Sequence, residues 1–190
     1  MLYKIVYILV WPIIKFIFFF KTENKPQDLP QGKLIICANH ISFMDPFILA
    51  MSFGKQVHFI AKKELFTNKL LAYLLKSLGA IPVDRKNLDL HAIKTSVKVL
   101  NDDKYLGIFP EGTRVKEVKR ENIKNGISYI ALRAEADILP IEIKGRYIPF
   151  TQIKAVFKPM IKIEDYKHLD KRTSYDKIAQ DVYNSIYNLT

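Results

Sequence analysis

The chain has 190 residues, of which 49% are hydrophobic and 26% are charged, so it fits one domain with a substantial core and does not fit a disordered chain. Its net charge of +11 favours a polyanionic partner, which can be nucleic acid, an anionic bilayer or a phosphorylated substrate. Because Cys37 is the single cysteine, an intramolecular disulfide framework and a multi-cysteine zinc cluster are excluded.

The first twenty residues, MLYKIVYILVWPIIKFIFFF, are apolar apart from two lysines. On a helix, both lysines share one face with two other side chains, and the opposite face is continuously apolar; the shared face carries Lys4, Ile8, Trp11 and Lys15. Pro12 is expected to bend this segment. We predict an interfacial or shallowly inserted membrane anchor over residues 1–20. A membrane span, a core helix and a secretory signal are the alternatives, although no small-residue cleavage site follows Phe20.

Residues 21–32 contain two prolines and a glycine among polar residues, which indicates a linker. Beyond it, short apolar runs alternate with longer segments of helical periodicity. Strands are predicted at 33–38, 57–61, 81–83, 105–109, 138–144, 153–157 and 161–163. Helices are predicted at 46–53, 68–78, 90–101, 124–136 and 172–189. This alternation predicts a single α/β domain over residues 33–190, with a largely parallel or mixed central sheet flanked by helices.

The densest polar cluster, residues 39–46, directly follows the first predicted strand, where α/β sheets usually place their ligands. His40 and Asp45 are five positions apart, so they meet only if a turn intervenes, and Ser42 suits such a turn. In one interpretation, Asp45 caps the next helix and His40 is an ordinary loop residue. In the other, Asp45 fixes the tautomer of His40, which then accepts a proton from an alcohol. This cluster by itself leaves both open.

Two further clusters each follow a predicted strand. Residues 107–114 combine the carboxylate of Glu111, the flexible Gly112 and the guanidinium of Arg114. Arg114 can bind a phosphate through two parallel hydrogen bonds, and Glu111 can accept hydrogen bonds from hydroxyl groups. A polar turn with a surface ion pair is the plainer interpretation. Residues 79–85, which end in another arginine, are a weak signal when taken alone.

Together these blocks resemble those of the lysophosphatidic acid acyltransferases, a group of glycerolipid acyltransferases. The first has the family form Asn-His-x4-Asp, the second is Gly-Ala-Ile-Pro-Val-Asp-Arg, the third is Phe-Pro-Glu-Gly-Thr-Arg, and the fourth is an apolar strand centred on a proline. They match residues 39–45, 79–85, 109–114 and 138–141, respectively. The resemblance covers about residues 33–145, and the connecting segments 59–66 and 124–126 agree with it. The sequence departs from the family pattern at Val115 and at 135–137, which concerns substrate choice more than reaction type.

The resemblance implies a direct acyl transfer without an acyl-enzyme. His40 would act as general base on the free hydroxyl of a lysolipid, which attacks the thioester carbonyl of an acyl donor. Asp45 would orient His40 and stabilise its protonated form. Five residues would bind the acceptor: Arg85 and Arg114 at its phosphate, Glu111 at its glycerol, and Gly112 and Thr113 in the same turn. The expected reaction acylates the sn-2 hydroxyl of lysophosphatidic acid and gives phosphatidic acid.

The resemblance also implies partners and a location. The expected partners are the lipid bilayer, a lysophospholipid and an acyl thioester, carried by coenzyme A or by acyl carrier protein. The reaction is expected to need no metal and no cofactor, and the location implied is the cytoplasmic face of the cell membrane. Nucleic acid is not expected, since no helix-turn-helix, zinc or RNA-binding aromatic motif is present.

Several alternatives stay open. The acceptor could be another lysolipid or glycerol 3-phosphate. Cys37, three residues before His40, could be the nucleophile of a thioesterase or of an acyl-enzyme transferase, although its place in the apolar run 34–38 favours a buried structural cysteine. The chain could also be a basic membrane-binding module without catalysis. Lys62 and Lys63 could contact donor phosphates, although solvated surface positions are expected for both. The remaining histidines are expected to be ordinary surface or core residues; they are His58, His91 and His168.

Overall fold

Seven strands form the central sheet of the chain, which a computed structural model describes over residues 2–85, 89–114 and 119–187. In chain order they are β1 (Lys21–Glu23), β2 (Leu34–Ala38), β3 (Val57–Lys62), β4 (Ile81–Val83), β5 (Tyr105–Ile108), β6 (Asp137–Gly145) and β7 (Ile153–Phe157). Their order across the sheet is β1-β7-β6-β2-β5-β3-β4. Strands β2 to β6 run parallel, β7 runs antiparallel to β6, and β1 pairs parallel with β7. The predicted mixed, largely parallel sheet is confirmed.

Helices cover both faces of this sheet. They are α1 (Leu2–Phe18), α2 (Asp45–Phe53), α3 (Lys69–Ser77), α4 (Leu90–Asn101), α5 (Gly126–Ala134) and α6 (Lys171–Tyr187). Successive side chains of a strand point to opposite faces, so Ile35 of β2 packs with α4, α5 and α6, whereas Leu34 and Ile36 pack with α1 and α2. The predicted α/β class with flanking helices is therefore confirmed, and both faces of β2 are buried.

Two short segments differ from the expectation. Residues 21–23, assigned to the linker, form β1 at the sheet edge and pair with residues 154–156. Its Lys-Thr-Glu sequence is largely exposed, so no apolar alternation announces it. The predicted strand at 161–163 is wrong: Ile161 makes a single bridge to Ile138, and Ile163 begins a 3-10 turn. Both isoleucines are buried in the core, and this burial alone explains their period-two pattern.

Helix α1 has one packed face and one exposed face. Ile14 is buried in the core beneath α1, and Trp11 packs edge-on against Phe20 with ring centroids 5.7 Å apart. Four large apolar side chains of α1 are exposed: Ile8, Leu9, Ile13 and Phe16. The core-helix alternative therefore describes one face of α1 only. Within the three ranges given above, no helix combines the length and the apolar character that crossing a bilayer requires.

Candidate active site

The sheet topology brings the three polar blocks together. Residues 39–45 follow β2 and residues 109–114 follow β5, and these strands are neighbours. Arg85 follows β4, which only β3 separates from β5. Because all four strands are parallel, their carboxyl ends lie at the same sheet edge. His40, Arg85 and residues 111–114 line one cavity of about 1460 Å³ at this edge.

A tight turn places His40 against Asp45. The distance from His40 Nδ1 to Asp45 Oδ2 is 2.8 Å. The backbone N–H groups of Ile41 and Ser42 donate to the same oxygen, each at 2.7 Å. The turn is closed by a 3.2 Å hydrogen bond from the Asp45 N–H to the Ser42 carbonyl, and the Ser42 hydroxyl accepts from Met44 N–H at 3.2 Å. The turn that the spacing required is present, and Ser42 lies in it.

The helix-capping interpretation of Asp45 is wrong. Helix α2 begins at Asp45 itself, the preceding cap residue is Met44, and no side chain of a described residue accepts from the free N–H groups of the first turn. The carboxylate of Asp45 points back to the loop and is fully buried.

The imidazole of His40 presents one nitrogen to the cavity. A carboxylate only accepts hydrogen bonds, so in the neutral imidazole Nδ1 carries the hydrogen and Nε2 has the lone pair. No described residue hydrogen-bonds to Nε2, and the ring stacks on Phe109 with centroids 4.2 Å apart. Phe109 in turn stacks on Phe59, whose ring occupies the space above Gly107. A Cβ at Gly107 would lie 2.3 Å from two carbons of that ring. This arrangement can perform general base chemistry at the cavity wall.

Glu111 is a buried carboxylate beside His40. Its Oε1 accepts a hydrogen bond from the His40 backbone N–H at 3.2 Å and another from the Tyr187 hydroxyl. Its Oε2 is buried and has no partner among the described residues. Burial is the largest cause that raises the pKa of Glu111, against the lowering effect of these hydrogen bonds. Glu111 therefore both holds the His40 backbone and leaves one oxygen unsatisfied at the cavity.

The turn after β5 requires glycine at position 112. Gly112 has a φ of +68°, a conformation that L side chains rarely adopt, and its N–H donates to the Phe109 carbonyl at 3.0 Å. The backbone conformation, rather than a close contact, accounts for this glycine. Thr113 and Arg114 follow it and are exposed at the cavity wall.

Arg85 and Arg114 lie close enough to affect one another. Partial loss of water around the guanidinium is the largest cause that lowers the pKa of Arg85; Glu64 opposes it, and the positive charge of Arg114 adds to it. Neither arginine forms a salt bridge with a described residue. Two guanidinium groups at one cavity wall, with no such salt-bridge partner among the described residues, can bind an anion such as phosphate.

The fourth block and Asn39 have structural positions. Leu139 and Ile141 are fully buried in β6, next to β2. The Asn39 amide donates to the Ile143 carbonyl at 3.0 Å and accepts from the Ile143 N–H at 2.6 Å. This side chain therefore continues the pairing of β2 with β6 beyond the last residue of β2. Strand β6 and the Asn39 side chain therefore fix the end of β2, which His40 follows closely.

The structure does not support Cys37 as a nucleophile. Cys37 is fully buried in the core beneath α4, α5 and α6. Burial raises its pKa well above the ordinary thiol value, and the charge of Glu111 adds to this effect. The thiol therefore stays protonated and out of reach of a substrate in the cavity.

The residues expected to be ordinary have ordinary surroundings. His58 contacts the Gly79 carbonyl through Nδ1 at 3.0 Å, and His91 and His168 are exposed. Lys63 forms a 2.6 Å salt bridge with Asp84 at the surface.

Two tyrosines of the site are not indicated by any sequence pattern. The Tyr187 hydroxyl contacts Glu111, and the Tyr147 hydroxyl donates to Asp45 Oδ1 at 2.6 Å. Both lie beyond the fourth block, in a region without a recognisable motif. Their positions 76 and 102 residues from their partners leave no local signal.

Comparison with known proteins defines the class of protein. The model of the family described as Acyltransferase matches residues 18–144, so the chain belongs to this acyltransferase family. The chain is similar to 1-acyl-sn-glycerol-3-phosphate acyltransferase of Bacillus subtilis, with 38% identity over 127 residues, 66% of this chain and 61% of that protein. It is also similar to the protein of the same name in Streptococcus pneumoniae, with 34% identity over 143 residues, 74% of this chain and 52% of that protein. The matches thus span between about half and three-fifths of these relatives.

A solved structure shows the same fold. The chain superimposes on the crystal structure of the 1-acyl-sn-glycerophosphate (LPA) acyltransferase PlsC from Thermotoga maritima with a TM-score of 0.67 and 22% identity. The superposition covers 95% of this chain and 76% of the other. At this level of identity the likeness establishes the architecture.

Glu111 gives a pH-dependent prediction for stability. Its raised pKa means that the folded state holds the Glu111 proton to higher pH than the unfolded state does, so ionisation of Glu111 destabilises the fold. This cost is absent below the ordinary carboxyl pKa of 4.5 and is complete above the raised value. We expect the free energy of unfolding of Glu111→Gln, relative to wild type, to increase as the pH rises from below 4.5 to neutrality. Urea unfolding at a series of pH values measures this difference.

The matched control is Glu121→Gln, an exposed carboxylate after the third block. Because this side chain is exposed, the control removes one carboxylate without the effect of burial, and Glu111→Gln should show the steeper rise. A profile for Glu111→Gln no steeper than that of the control would contradict the effect of burial.

Proposed function

We propose that this chain transfers a fatty acyl group from an acyl thioester to the sn-2 hydroxyl of lysophosphatidic acid and so produces phosphatidic acid. The observation that carries the proposal is the His40–Asp45 pair, with Nδ1 bound to the carboxylate and Nε2 at the wall of a cavity that also holds Arg85 and Arg114. The curated relatives named as 1-acyl-sn-glycerol-3-phosphate acyltransferases support it.

The proposed reaction is a direct transfer. His40 Nε2 takes the proton of the acceptor hydroxyl as its oxygen attacks the thioester carbonyl, and Asp45 stabilises the imidazolium that forms. The C–S bond then breaks, and the proton on Nε2 passes to the leaving thiolate. The ester and a free thiol are the products, no protein residue is acylated, and the proposal requires neither metal nor cofactor.

The cavity has room for both parts of such a substrate. Ordinary small-molecule sites measure roughly 300–1000 Å³, and the cavity here measures about 1460 Å³. Its wall includes a large apolar group of side chains, among them Phe43, Phe47, Leu71, Leu74 and Ile130. An acyl chain suits this apolar wall, while the phosphate of the acceptor suits the two arginines.

We also propose that the chain works at the surface of a bilayer, on the cytoplasmic face of the cell membrane. The exposed apolar side chains of α1 and the net charge of +11 support contact with anionic phospholipids. Tyr7 of α1 also lines the cavity, so a lipid substrate could pass from the bilayer to His40 along this helix.

His40→Ala tests the proposed base. We expect the transfer rate to fall by about a hundredfold or more, the usual scale for losing a positioned base. The assay uses lysophosphatidic acid, other lysolipids and glycerol 3-phosphate as acceptors, each with acyl-coenzyme A and with acyl carrier protein as donor. This panel also identifies the donor and the acceptor.

The exposed His168→Ala is the control and is expected to keep wild-type activity. Transfer within a few-fold of wild type by His40→Ala would remove the proposed mechanism, and vesicle binding without transfer by wild type would favour the non-enzymatic module.

Arg114→Ala tests recognition of the phosphate. Loss of a charge-assisted hydrogen bond costs about 1.5–3 kcal/mol, so we expect kcat/KM for lysophosphatidic acid to fall about tenfold to a hundredfold. Monoacylglycerol lacks the phosphate, so its kcat/KM should change little. The exposed Arg133→Ala on α5 controls for the loss of one positive charge. An equal loss on both acceptors would show that Arg114 does not recognise the phosphate.

Ile13→Glu tests the membrane contact of α1. A carboxylate on the exposed apolar face should weaken binding to vesicles of phosphatidylcholine and phosphatidylglycerol by about tenfold, because a charge must enter the interface. Tyr129→Glu makes the same change of charge at an exposed aromatic residue of α5 and should leave binding unaltered. Sedimentation with vesicles measures both. Equal effects of the two substitutions would assign the change to net charge instead of to α1.

A further inference from the structure

The buried carboxylate of Asp45 uses its two oxygens differently. Oδ2 accepts three hydrogen bonds, from His40 Nδ1 and from the backbone N–H groups of Ile41 and Ser42. Oδ1 accepts one, from the Tyr147 hydroxyl at 2.6 Å. Three of the four donors belong to the His40–Asp45 turn, whereas Tyr147 lies in the loop after β6. Tyr147 is thus the one of these four donors that comes from a distant part of the chain.

A short loop delivers this hydroxyl. Tyr147 lies between β6 and β7, where Ile148 N–H donates to the Arg146 carbonyl at 2.8 Å and the Thr151 hydroxyl contacts the same carbonyl at 2.9 Å. Burial and the charge of Asp45 raise the pKa of Tyr147, so its hydroxyl keeps its proton and stays a donor. The loop therefore presents a permanent donor to Oδ1.

The end of α1 holds this loop. The Phe18 ring meets the Tyr147 ring edge-on, with centroids 5.6 Å apart. The Phe150 N–H donates to the Ile17 carbonyl at 2.6 Å, and the Phe150 ring meets that of Phe16 with centroids 6.3 Å apart. Contacts therefore run without a break from α1 to Tyr147, then to Asp45 and His40.

We propose that Tyr147 is a positioning residue for acyl transfer, which fixes the Asp45 carboxylate so that Oδ2 stays on His40 Nδ1, and that α1 holds Tyr147 in this position. The inference rests on the proposed function, in which His40 is the base. Without the hydroxyl, Oδ1 would be a buried acceptor with no partner among the described residues, and the carboxylate could rotate to find another donor. Such rotation would weaken the Nδ1 contact, so the lone pair of Nε2 would lose its orientation towards the acceptor.

Tyr147→Phe removes the hydroxyl and keeps the ring against Phe18. We expect kcat to fall about tenfold to a hundredfold, the scale of a lost hydrogen bond to a charged group, with KM within about twofold of wild type. Tyr166→Phe is the matched control, because the Tyr166 hydroxyl donates to Asp181 Oδ2 at the same distance of 2.6 Å away from the cavity. It should lose comparable stability in thermal unfolding and keep the wild-type kcat.

A double-mutant cycle separates positioning from a general loss of stability. If Tyr147 acts through Asp45, then Tyr147→Phe should cause little further loss of kcat in an Asp45→Asn background. The NMR resonance of the His40 Nδ1 hydrogen should shift or broaden in Tyr147→Phe and stay in place in Tyr166→Phe. Phe18→Leu keeps the hydroxyl but removes the edge-on contact, and it should lower kcat by a smaller factor than Tyr147→Phe. This variant also decides the question if Tyr147→Phe fails to fold.

The outcomes distinguish the two proposals. If His40→Ala and Asp45→Asn keep activity, the proposed mechanism fails. If both lose activity while Tyr147→Phe keeps the wild-type kcat and an unmoved His40 resonance, the proposed function stands and the role of Tyr147 is overturned. If the wild-type chain acylates none of the acceptors but the His40 resonance still shifts in Tyr147→Phe, the contact between Tyr147 and Asp45 stands and the proposed function fails.

Discussion

The site depends on the buried carboxylate of Asp45 and on the hydrogen-bond donors that surround it. A carboxylate removed from water is strongly destabilising unless hydrogen-bond donors surround it, and Asp45 is fully buried. Its donors are two backbone N–H groups, the imidazole of His40 and the hydroxyl of Tyr147. The requirement to satisfy this carboxylate fixes the turn after β2, and the same turn directs Nε2 of His40 into the cavity.

The sheet supplies the rest of the chemistry by topology. Because β2 and β5 are adjacent and parallel, the turn that carries His40 lies beside the turn that carries Glu111, and Glu111 bonds to the His40 backbone. Arg85 follows the edge strand β4 and lies near enough to Arg114, after β5, for their charges to interact. His40, the buried carboxylate of Glu111 and the two arginines thus border one cavity, and each lies close to the end of a strand.

Particular elements show how far sequence patterns predict this fold. The predicted bounds of β2 and α4 agree with the structure within one residue, because burial on both faces of a strand gives a continuous apolar run and burial along one face of a helix imposes the helical period. Strand β1 was missed because its three largely exposed residues carry no such period. The predicted strand at 161–163 failed for the opposite reason, since a core position and a strand produce the same apolar alternation. An aspartate before a proline, as at Asp45, is typical of a helix cap, yet the carboxylate of Asp45 hydrogen-bonds to His40 and does not cap the helix.

The sequence by itself determined the elements of the core and the blocks of residues that belong to one sheet edge, since these follow from local periodicity and from short motifs. Tertiary structure alone decided which side chains complete the site. Tyr147 reaches Asp45 across 102 positions and Tyr187 reaches Glu111 across 76, and such distant contacts leave no spacing to recognise. The buried oxygen of Glu111 that has no partner among the described residues also required the packed core, because burial is a property of what surrounds a residue.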